Sequence, residues 1–316
     1  MLRSWPLESA PRAFLLGPTA AGKTAVAIAL ARHLPLEVLT LDSMQVYQGM
    51  DIGTAKPGPA ERGAVAHHLL DLVPPDQEFS VARWLDAAHR TEAEVRARGR
   101  LPLYVGGTGL YLKALTAGLL AGPSVPAEVR AAVASELAAN GREALRAELR
   151  HGDPELHARL HPNDDKRLLR GVEILRACGR PLTALQQQWR EGARIGAPAV
   201  AIEWPRERLR ERVAERFDAM LESGLLEEVA RLRTDPGFGA AAGKALGYRQ
   251  LIEHLDGECT LQEAVARAVT LTRTLIRRQM TWLRSFPDLQ WAVVGSTDAA
   301  EVVAAGIADR LLSAAR

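Results

Sequence analysis

A glycine-rich segment near the N-terminus has the residue types and spacing that bind phosphate. Its eight residues are Gly17, Pro18, Thr19, Ala20, Ala21, Gly22, Lys23 and Thr24. The glycines let the backbone wrap closely and point successive N–H groups inward, and the N-terminus of a following helix adds positive partial charge. Lys23 can neutralise phosphate oxygens, and Thr24 can offer its hydroxyl to Mg²⁺. The pattern predicts a site for a di- or triphosphate; a plain glycine turn is the alternative.

A carboxylate follows the next predicted strand, Glu37–Leu41, which ends in Asp42. Because the carboxyl ends of parallel strands meet at one edge of a sheet, Asp42 should face the phosphate crevice. There it could bind a metal or accept a proton from an acceptor group. Asp-Ser is also good capping chemistry, so a helix N-cap is the structural alternative. Both interpretations stay open at this point.

Two further motifs lie near predicted strands. Gly106–Gly109 follows Leu101–Val105 and favours either a second backbone-lined part of the crevice or a plain turn. His67 and His68 precede another predicted strand. Since they lack partner cysteines or an HExxH pattern, structural roles are favoured over metal binding.

Arginines are concentrated in two helical segments. Arg216 follows Arg208 and Arg212 at four-residue spacing, so an ion pair with Glu211 or Glu215 is its ordinary interpretation.

Between Glu263 and Asp288 no acidic residue occurs. Helical spacing places one group of arginines near a common face: Arg273, Arg277 and Arg284. An apolar stripe is predicted on another face: Val269, Ile276, Met280 and Leu283. Apolar neighbours also favour the core for Trp282. The arginine face is typical either of a solvated surface or of contact with RNA phosphates.

Short apolar runs must position these motifs at one edge of a sheet. Strands are predicted at Ala13–Leu16, Glu37–Leu41, Leu69–Val73, Leu101–Val105, Ala199–Glu203 and Gln290–Val294, with helical segments between most of them. This alternation predicts an α/β fold with a mainly parallel sheet flanked by helices, similar to P-loop NTPases. A purely helical pattern interrupts it. We therefore predict a core of residues 1–122 and 196–316 and a smaller all-helical insertion domain of residues 123–195.

Composition excludes several classes of protein. Hydrophobic residues form 47% of the 316 and charged residues 25%, which excludes wholesale disorder. The net charge is only +2, so a nucleic-acid surface must come from local segregation of charge. Cys178 and Cys259 are far apart and fit neither a disulfide framework nor a zinc site. No apolar stretch is long enough to span a membrane, and we expect a cytoplasmic protein.

Several blocks together resemble one family, the bacterial tRNA dimethylallyltransferases, also called tRNA isopentenyltransferases. The N-terminal blocks are GPTAAGKT at 17–24, DSMQVYQGMDIGTAKP at 42–57, HHLLDL at 67–72 and GGTGLYLKAL at 106–115. The later blocks are HPND at 161–164, RFDAML at 216–221, LGYRQ at 246–250 and RRQMTWLR at 277–284. They occur in the family's order and cover nearly the whole chain.

The resemblance implies a specific reaction. The family transfers a dimethylallyl group from dimethylallyl diphosphate to the N6 amine of the adenosine just 3′ of the anticodon. Its substrates are tRNAs that read codons beginning with U, and diphosphate is released. The resemblance implies that residues 17–24 hold the diphosphate with Mg²⁺ at Thr24, that Asp42 is the general base, and that Thr19 and Arg216 help to activate the diphosphate.

The resemblance also implies an interface with the anticodon stem-loop of tRNA. Residues expected there are Asp42, Ser43, Met44, Gln45, Thr108, Arg130, Lys166, Arg167, Arg170, Gly247, Tyr248, Arg249, Gln250, Arg277, Arg278, Gln279, Trp282 and Arg284. Asp165 and Lys166 depart from the family pattern, which commonly has proline and often glutamine there. Asn163 or Asp164 is a plausible cap for the helix that follows.

Two other functions are compatible with the phosphate-binding segment alone. One is an ATP-binding P-loop kinase that acts on a small metabolite or nucleotide, and the other is a nucleotide-regulated RNA-binding protein without catalysis. Transfer of label from dimethylallyl diphosphate to RNA, transfer of phosphate from ATP, or binding without either would separate the three. We expect a monomer.

Overall fold

The computed structural model describes residues 2–118, 125–185, 194–295 and 298–315. The chain divides into two compact units. The first, the sheet unit, contains residues 1–116 and 194–316, and the second, the helical unit, contains residues 117–193. The predicted insertion, residues 123–195, covers most of the helical unit.

A parallel sheet forms the centre of the sheet unit. Within the described residues its strands are β1 (Ala13–Leu16), β2 (Leu36–Leu41), β3 (His67–His68), β4 (Leu101–Gly106), β5 (Ala199–Glu203) and β6 (Gln290–Val293). Their order across the sheet is β3-β2-β4-β1-β5-β6, and every pair is parallel. The α/β prediction is confirmed. The central strands are buried along their whole length because helices cover both faces of the sheet.

Helices of the sheet unit lie on both sides of these strands. They are α1 (Lys23–Leu30), α2 (Pro59–Ala64), α3 (Val81–Ala97), α4 (Gly109–Ala117), α10 (Arg206–Glu222), α11 (Leu225–Thr234), α12 (Tyr248–Leu255), α13 (Leu261–Arg284) and α14 (Ala300–Ala314). Helix α13 begins with a reciprocal cap between Thr260 and Glu263. None of the helices in the described part of the chain is apolar over a length that could span a bilayer.

Alternate residues of β1 point to the two halves of the core. Leu15 belongs to an apolar cluster that includes residues of α1 and α14. Phe14 points the other way, where its ring stacks on Tyr104 with centroids 5.3 Å apart. Trp84 of α3 extends this aromatic layer to Tyr111 of α4. The sheet is therefore held rigidly between two apolar layers, which fixes its carboxyl edge.

The helical unit has its own apolar cluster. Its helices are α5 (Ala127–Asn140), α6 (Arg142–Gly152), α7 (Pro154–Arg159), α8 (Asp165–Cys178) and α9 (Leu182–Leu185). Asp153 is buried and accepts hydrogen bonds from Leu156 N, Thr183 N and the Thr183 hydroxyl. Asp164 caps α8 by accepting from Arg167 N at 3.1 Å, as one of the two predicted capping interpretations requires.

One predicted strand is wrong. The segment Leu69–Val73 is not a strand, because Leu69 and Asp71 have φ of 64° and 55°, which leaves the extended region. The strand lies just before it, at His67–His68. After the turn the chain pairs with the loop that follows β2, through a single bridge between Tyr47 and Val73.

Candidate active site

The phosphate-binding segment forms the turn between β1 and α1. Gly22 adopts φ of 80° at the start of α1, and Ala20 adopts φ of 63°. These left-handed residues turn the chain sharply and place Lys23 and Thr24 in the first helical turn. Lys23 Nζ donates to the carbonyl oxygen of Pro18 at 2.7 Å, which folds its side chain back over the loop.

Three side chains from the C-terminal part of the chain hold this loop from outside. Arg212 Nε donates to Ala20 O at 2.9 Å, and its guanidinium lies 4.5 Å from the centroid of the Trp204 ring. Trp204 Nε1 donates to Ala21 O at 3.0 Å. Gln279 of α13 accepts from Thr19 N at 2.9 Å. Nothing in the local sequence pattern identified Trp204 or Arg212 as supports of the loop.

Two glycines let the ends of three strands meet. A Cβ at Gly106 would lie 2.0 Å from Leu41 O, and a Cβ at Gly107 would lie 2.5 Å from Gly17 O. Gly107 O also accepts from Gln279 Nε2 at 3.2 Å. Close approach of backbone to backbone therefore requires glycine here, and the segment lines the crevice rather than forming an isolated turn.

Asp42 caps a turn and does not begin a helix. Its Oδ1 accepts from Met44 N at 2.8 Å and from Gln45 N at 3.4 Å, and the next helix begins only at Pro59. The helix N-cap alternative is therefore wrong. No residue that the structure describes donates a hydrogen bond to the other oxygen, Oδ2. Ser43 N donates to the Thr108 hydroxyl at 3.3 Å, which ties the turn to the end of β4.

Two adjoining cavities meet beside Asp42. The smaller, of about 130 Å³, is lined by the phosphate loop, including Lys23 and Thr24. The larger, of about 570 Å³, is lined by Ser43, Met44 and Thr108 together with residues of α10 and α13. Residues that line both cavities are Thr19, Ala20, Asp42, Thr54, Gly107, Arg216 and Gln279. The two chambers therefore share a wall that contains a carboxylate and a guanidinium.

Two cations and Asp42 share this junction. Burial lowers the pKa of Lys23 to about 8, against the opposing effect of Asp42, and Arg216 lowers it further. Burial is also the main cause that lowers the pKa of Arg216. The ordinary interpretation of Arg216 is wrong, because Arg208 takes both neighbouring carboxylates, Glu211 and Glu215. Positive charge at the junction thus exceeds its local compensation.

The far wall of the larger cavity is apolar. Helices α10 and α13 contribute Val213, Phe217, Met220, Leu271 and Leu275. Trp282 lies at the same wall with 38% of its surface exposed, so the prediction that it belongs to the core is wrong. Its ring packs on Gly109, where a Cβ would approach within 2.9 Å, and Lys113 Nζ lies 5.6 Å from its centroid. This wall suits a hydrocarbon group or the face of a base.

A buried carboxylate holds the loop that closes the larger cavity. Glu228 accepts from the backbone N–H groups of three consecutive residues, Asp51, Ile52 and Gly53. The Tyr248 hydroxyl donates to it at 2.5 Å. Sequence analysis missed Glu228, whose helical surroundings favour an exposed position.

Lys56 is a second support of the same loop. Its Nζ donates to Tyr47 O at 2.7 Å and contacts the carboxylates of Asp51 and Asp71, each at 2.6 Å. Its side chain is almost wholly buried. A lysine that is paired so completely organises the loop and has no charge left to offer to a ligand.

The predicted RNA contacts in the sheet unit differ in exposure. Tyr248 and Gln250 are buried, and Gln250 accepts from Gly247 N, so neither side chain offers an exposed surface. Gln45 also turns inward and donates to Thr54 O. Arg249 is exposed but pairs with Glu253. Three of the predicted contacts on α13 are exposed arginines: Arg277, Arg278 and Arg284. Arg278 lines the larger cavity, and Arg284 pairs with Glu203.

The other predicted RNA contacts lie in the helical unit. Arg130 is on α5, and three basic residues are on α8: Lys166, Arg167 and Arg170. All four are exposed. Arg167 pairs with Asp164 and Arg170 with Glu173, while Asp165 pairs with Arg142.

The histidines have structural partners, as predicted. His67 Nδ1 lies 2.8 Å from Val65 O, and His68 Nε2 lies 2.7 Å from Glu37. Across the described ranges, no group of three or more histidine, cysteine, aspartate or glutamate side chains could hold a metal ion. Thr24 and Asp42 supply hard oxygen atoms beside the small cavity, the donor type that Mg²⁺ shares with substrate phosphates.

A parallel sheet whose first strand enters a phosphate loop, with cations and a carboxylate at the same edge, defines a protein of the P-loop class. The chain matches the family model described as IPP transferase over residues 45–286 and the one described as isopentenyl transferase over residues 12–71. It belongs to the IPP transferase family, and the resemblance to tRNA dimethylallyltransferases is confirmed.

The similarity to relatives and to solved structures extends over most of the chain. The tRNA dimethylallyltransferase of Thioalkalivibrio sulfidiphilus is 44% identical over 308 residues, 94% of each chain. The crystal structure of the tRNA isopentenylpyrophosphate transferase from Bacillus halodurans has a TM-score of 0.68 and 34% identity, and the match covers 95% and 96% of the two chains. A eukaryotic dimethylallyltransferase described as acting on tRNA has a TM-score of 0.73 and 25% identity, covering 89% of this chain and 74% of its own.

Proposed function

We propose that this protein transfers a dimethylallyl group from dimethylallyl diphosphate to the N6 amine of the adenosine 3′-adjacent to the anticodon. The acceptors are tRNAs that read codons beginning with U. The observation that carries the proposal is the pair of cavities that meet at Asp42 and Arg216. The names of the relatives support the same activity.

The smaller cavity suits the diphosphate. Backbone N–H groups of the loop, Lys23 and Arg216 would hold its oxygens and stabilise the charge that develops as the carbon–oxygen bond breaks. Thr24 would help to hold Mg²⁺, which supplies further charge neutralisation on the diphosphate when bound. The allylic carbon would then point toward the junction, and its methyl groups toward the apolar wall of the larger cavity.

The larger cavity suits the acceptor. Chemistry on the edge of a base requires the base to leave its stack, and a loop nucleotide does so at low cost. The N6 nitrogen would attack the allylic carbon as the diphosphate leaves, and its proton would pass to the free Oδ2 of Asp42. Ser43, Met44 and Thr108 would surround the adenine, because they line this chamber.

Incubation with labelled dimethylallyl diphosphate and unmodified tRNA tests the proposal. We expect label in RNA without added ATP and release of diphosphate. Two parallel reactions use free AMP as acceptor or ATP with labelled γ-phosphate. Efficient labelling of AMP would contradict the choice of tRNA, and transfer of γ-phosphate would instead indicate a kinase. A monomeric state and a cytoplasmic location remain predictions of the same proposal.

A further inference from the structure

A third cavity in the sheet unit is lined by four arginines and four uncharged residues. It has a volume of about 210 Å³ and lies between α10 and α13. Its residues are Arg206, Leu209, Arg210, Thr270, Arg273, Thr274, Ile276 and Arg277. The four arginines form two pairs at four-residue spacing, one on each helix, so each pair projects from a single helix face. We call this space the arginine cavity.

The charges in the arginine cavity are uncompensated. None of its lining residues is acidic, and none of its four arginines forms an ion pair with a residue that the structure describes. Two carboxylates of α10, Glu211 and Glu215, both pair with Arg208.

One guanidinium nitrogen in this group is buried without a partner. Arg273 Nε has no hydrogen bond, and its Nη2 reaches only the carbonyl oxygen of Arg210, at 3.4 Å. A buried N–H group without an acceptor is unfavourable, and it is rare in native structures. A tetrahedral anion in the cavity would supply the missing acceptor and the missing negative charge together.

The position of the arginine cavity favours RNA as the source of that anion. Thr274 lines both this cavity and the larger chamber of the active site. A nucleotide bound in the chamber continues into neighbouring backbone phosphates, whereas a small acceptor ends there. No acidic residue occurs between Glu263 and Asp288, so this part of α13 presents no negative charge to a polyanion.

We propose that the arginine cavity binds a backbone phosphate of the RNA substrate. The proposal rests on the proposed function, since it takes tRNA as the substrate. It assigns a binding role to Arg206, Arg210 and Arg273 in addition to Arg277. Such a contact positions the RNA and carries no sequence information itself.

The salt dependence of tRNA binding tests the proposal without any catalytic step. For Arg210→Gln and, separately, Arg273→Gln, we measure the affinity for unmodified tRNA between about 50 and 200 mM salt. Each substitution should make the slope of log affinity against log salt shallower by about one. Arg208→Gln on the same helix is the matched control, because its carboxylate partners already neutralise it, and its slope should equal that of the original protein.

Thermal unfolding and phosphate binding complete the experiment. Arg210 is exposed, so Arg210→Gln should unfold at the original temperature even if Arg273→Gln does not. An unchanged slope in Arg210→Gln would overturn the proposal. Inorganic phosphate is the second probe. If it stabilises the original protein but not Arg210→Gln, and the salt slope is unchanged, the cavity holds a small anion and the proposal is overturned. A changed slope in a protein that transfers no dimethylallyl group would support the cavity and refute the proposed reaction.

Discussion

Paired arginines on the surface of the helical unit contrast with two cations beside the cavity junction of the sheet unit. In the helical unit, exposed arginines such as Arg142, Arg167 and Arg176 each contact a carboxylate. In the sheet unit, Arg216 and Lys23 are half-buried beside the cavity junction, where Asp42 is the acidic neighbour. An exposed pair costs little and contributes little, whereas a cation that is partly withdrawn from water and incompletely paired costs folding free energy. Its persistence indicates that a ligand supplies the missing negative charge.

Substitution of the junction carboxylate should have the largest effect. Asp42→Asn keeps the shape of the turn but removes the proton acceptor, so turnover should fall by roughly 10²- to 10⁴-fold. The affinity for dimethylallyl diphosphate should stay within about twofold, since no bond to the leaving group is lost. Steady-state turnover and equilibrium binding measure the two. Unchanged turnover would remove Asp42 from the mechanism.

Substitution of the junction guanidinium should have the next largest effect. Arg216→Gln removes charge that stabilises the departing diphosphate, so turnover should fall by about 10²- to 10³-fold. The matched control is Arg208→Gln, which lies two helical turns away and is paired with two carboxylates. Turnover is measured with saturating tRNA. Equal losses of turnover in both variants would mean that Arg216 has no specific role in the reaction.

The carboxylate that holds the loop over the larger cavity should matter for stability. Glu228→Gln places an amide N–H against backbone donors and should lower the free energy of unfolding by about 2 kcal/mol. In contrast, Arg167→Gln breaks an exposed pair in the helical unit and should change it by less than about 1 kcal/mol. Denaturant titration measures both. Similar decreases in the free energy of unfolding for the two variants would contradict this contrast between the two units.

The smallest expected effect is a dependence on pH. Lys23 must be charged to hold the diphosphate, and its pKa is about 8 in the free protein. The affinity for dimethylallyl diphosphate should therefore change little between about pH 7 and pH 8 and fall above pH 8 by at most tenfold per pH unit. A bound anion should raise the pKa of Lys23, so the decrease should begin at a higher pH when the ligand is saturating. Isothermal titration from pH 7 upward measures it, and a Lys23→Met variant should lack the limb.

Local pattern predicted the parts of the site that lie close together in the chain. Strands ending at Leu16 and Leu41 place the phosphate loop and Asp42 at one edge, and apolar runs with flanking turns were enough to locate them. The strand predicted at Leu69–Val73 is wrong because Leu69 and Asp71 are left-handed, in a segment that pairs with the loop after β2. Short apolar runs do not carry that information.

The supports of the site could not be predicted in this way. Arg212 reaches the phosphate loop from 192 positions away, and Gln279 from 260. Glu228 holds backbone groups 175 to 177 positions away. Such contacts arise only when α10, α11 and α13 pack against the sheet edge. Trp282 likewise looked like a core residue, although Gly109 lets its ring rest on the cavity wall.

The central claim is that the diphosphate and the acceptor amine approach Asp42 from two adjoining chambers. A crystal structure with a non-reactive dimethylallyl diphosphate analogue and an anticodon stem-loop RNA tests it most directly. We predict the diphosphate beside Lys23 and Thr24, and the adenine N6 atom about 3 Å from the Asp42 carboxylate. A diphosphate in the larger chamber, or an adenine outside hydrogen-bond reach of Asp42, would contradict the account.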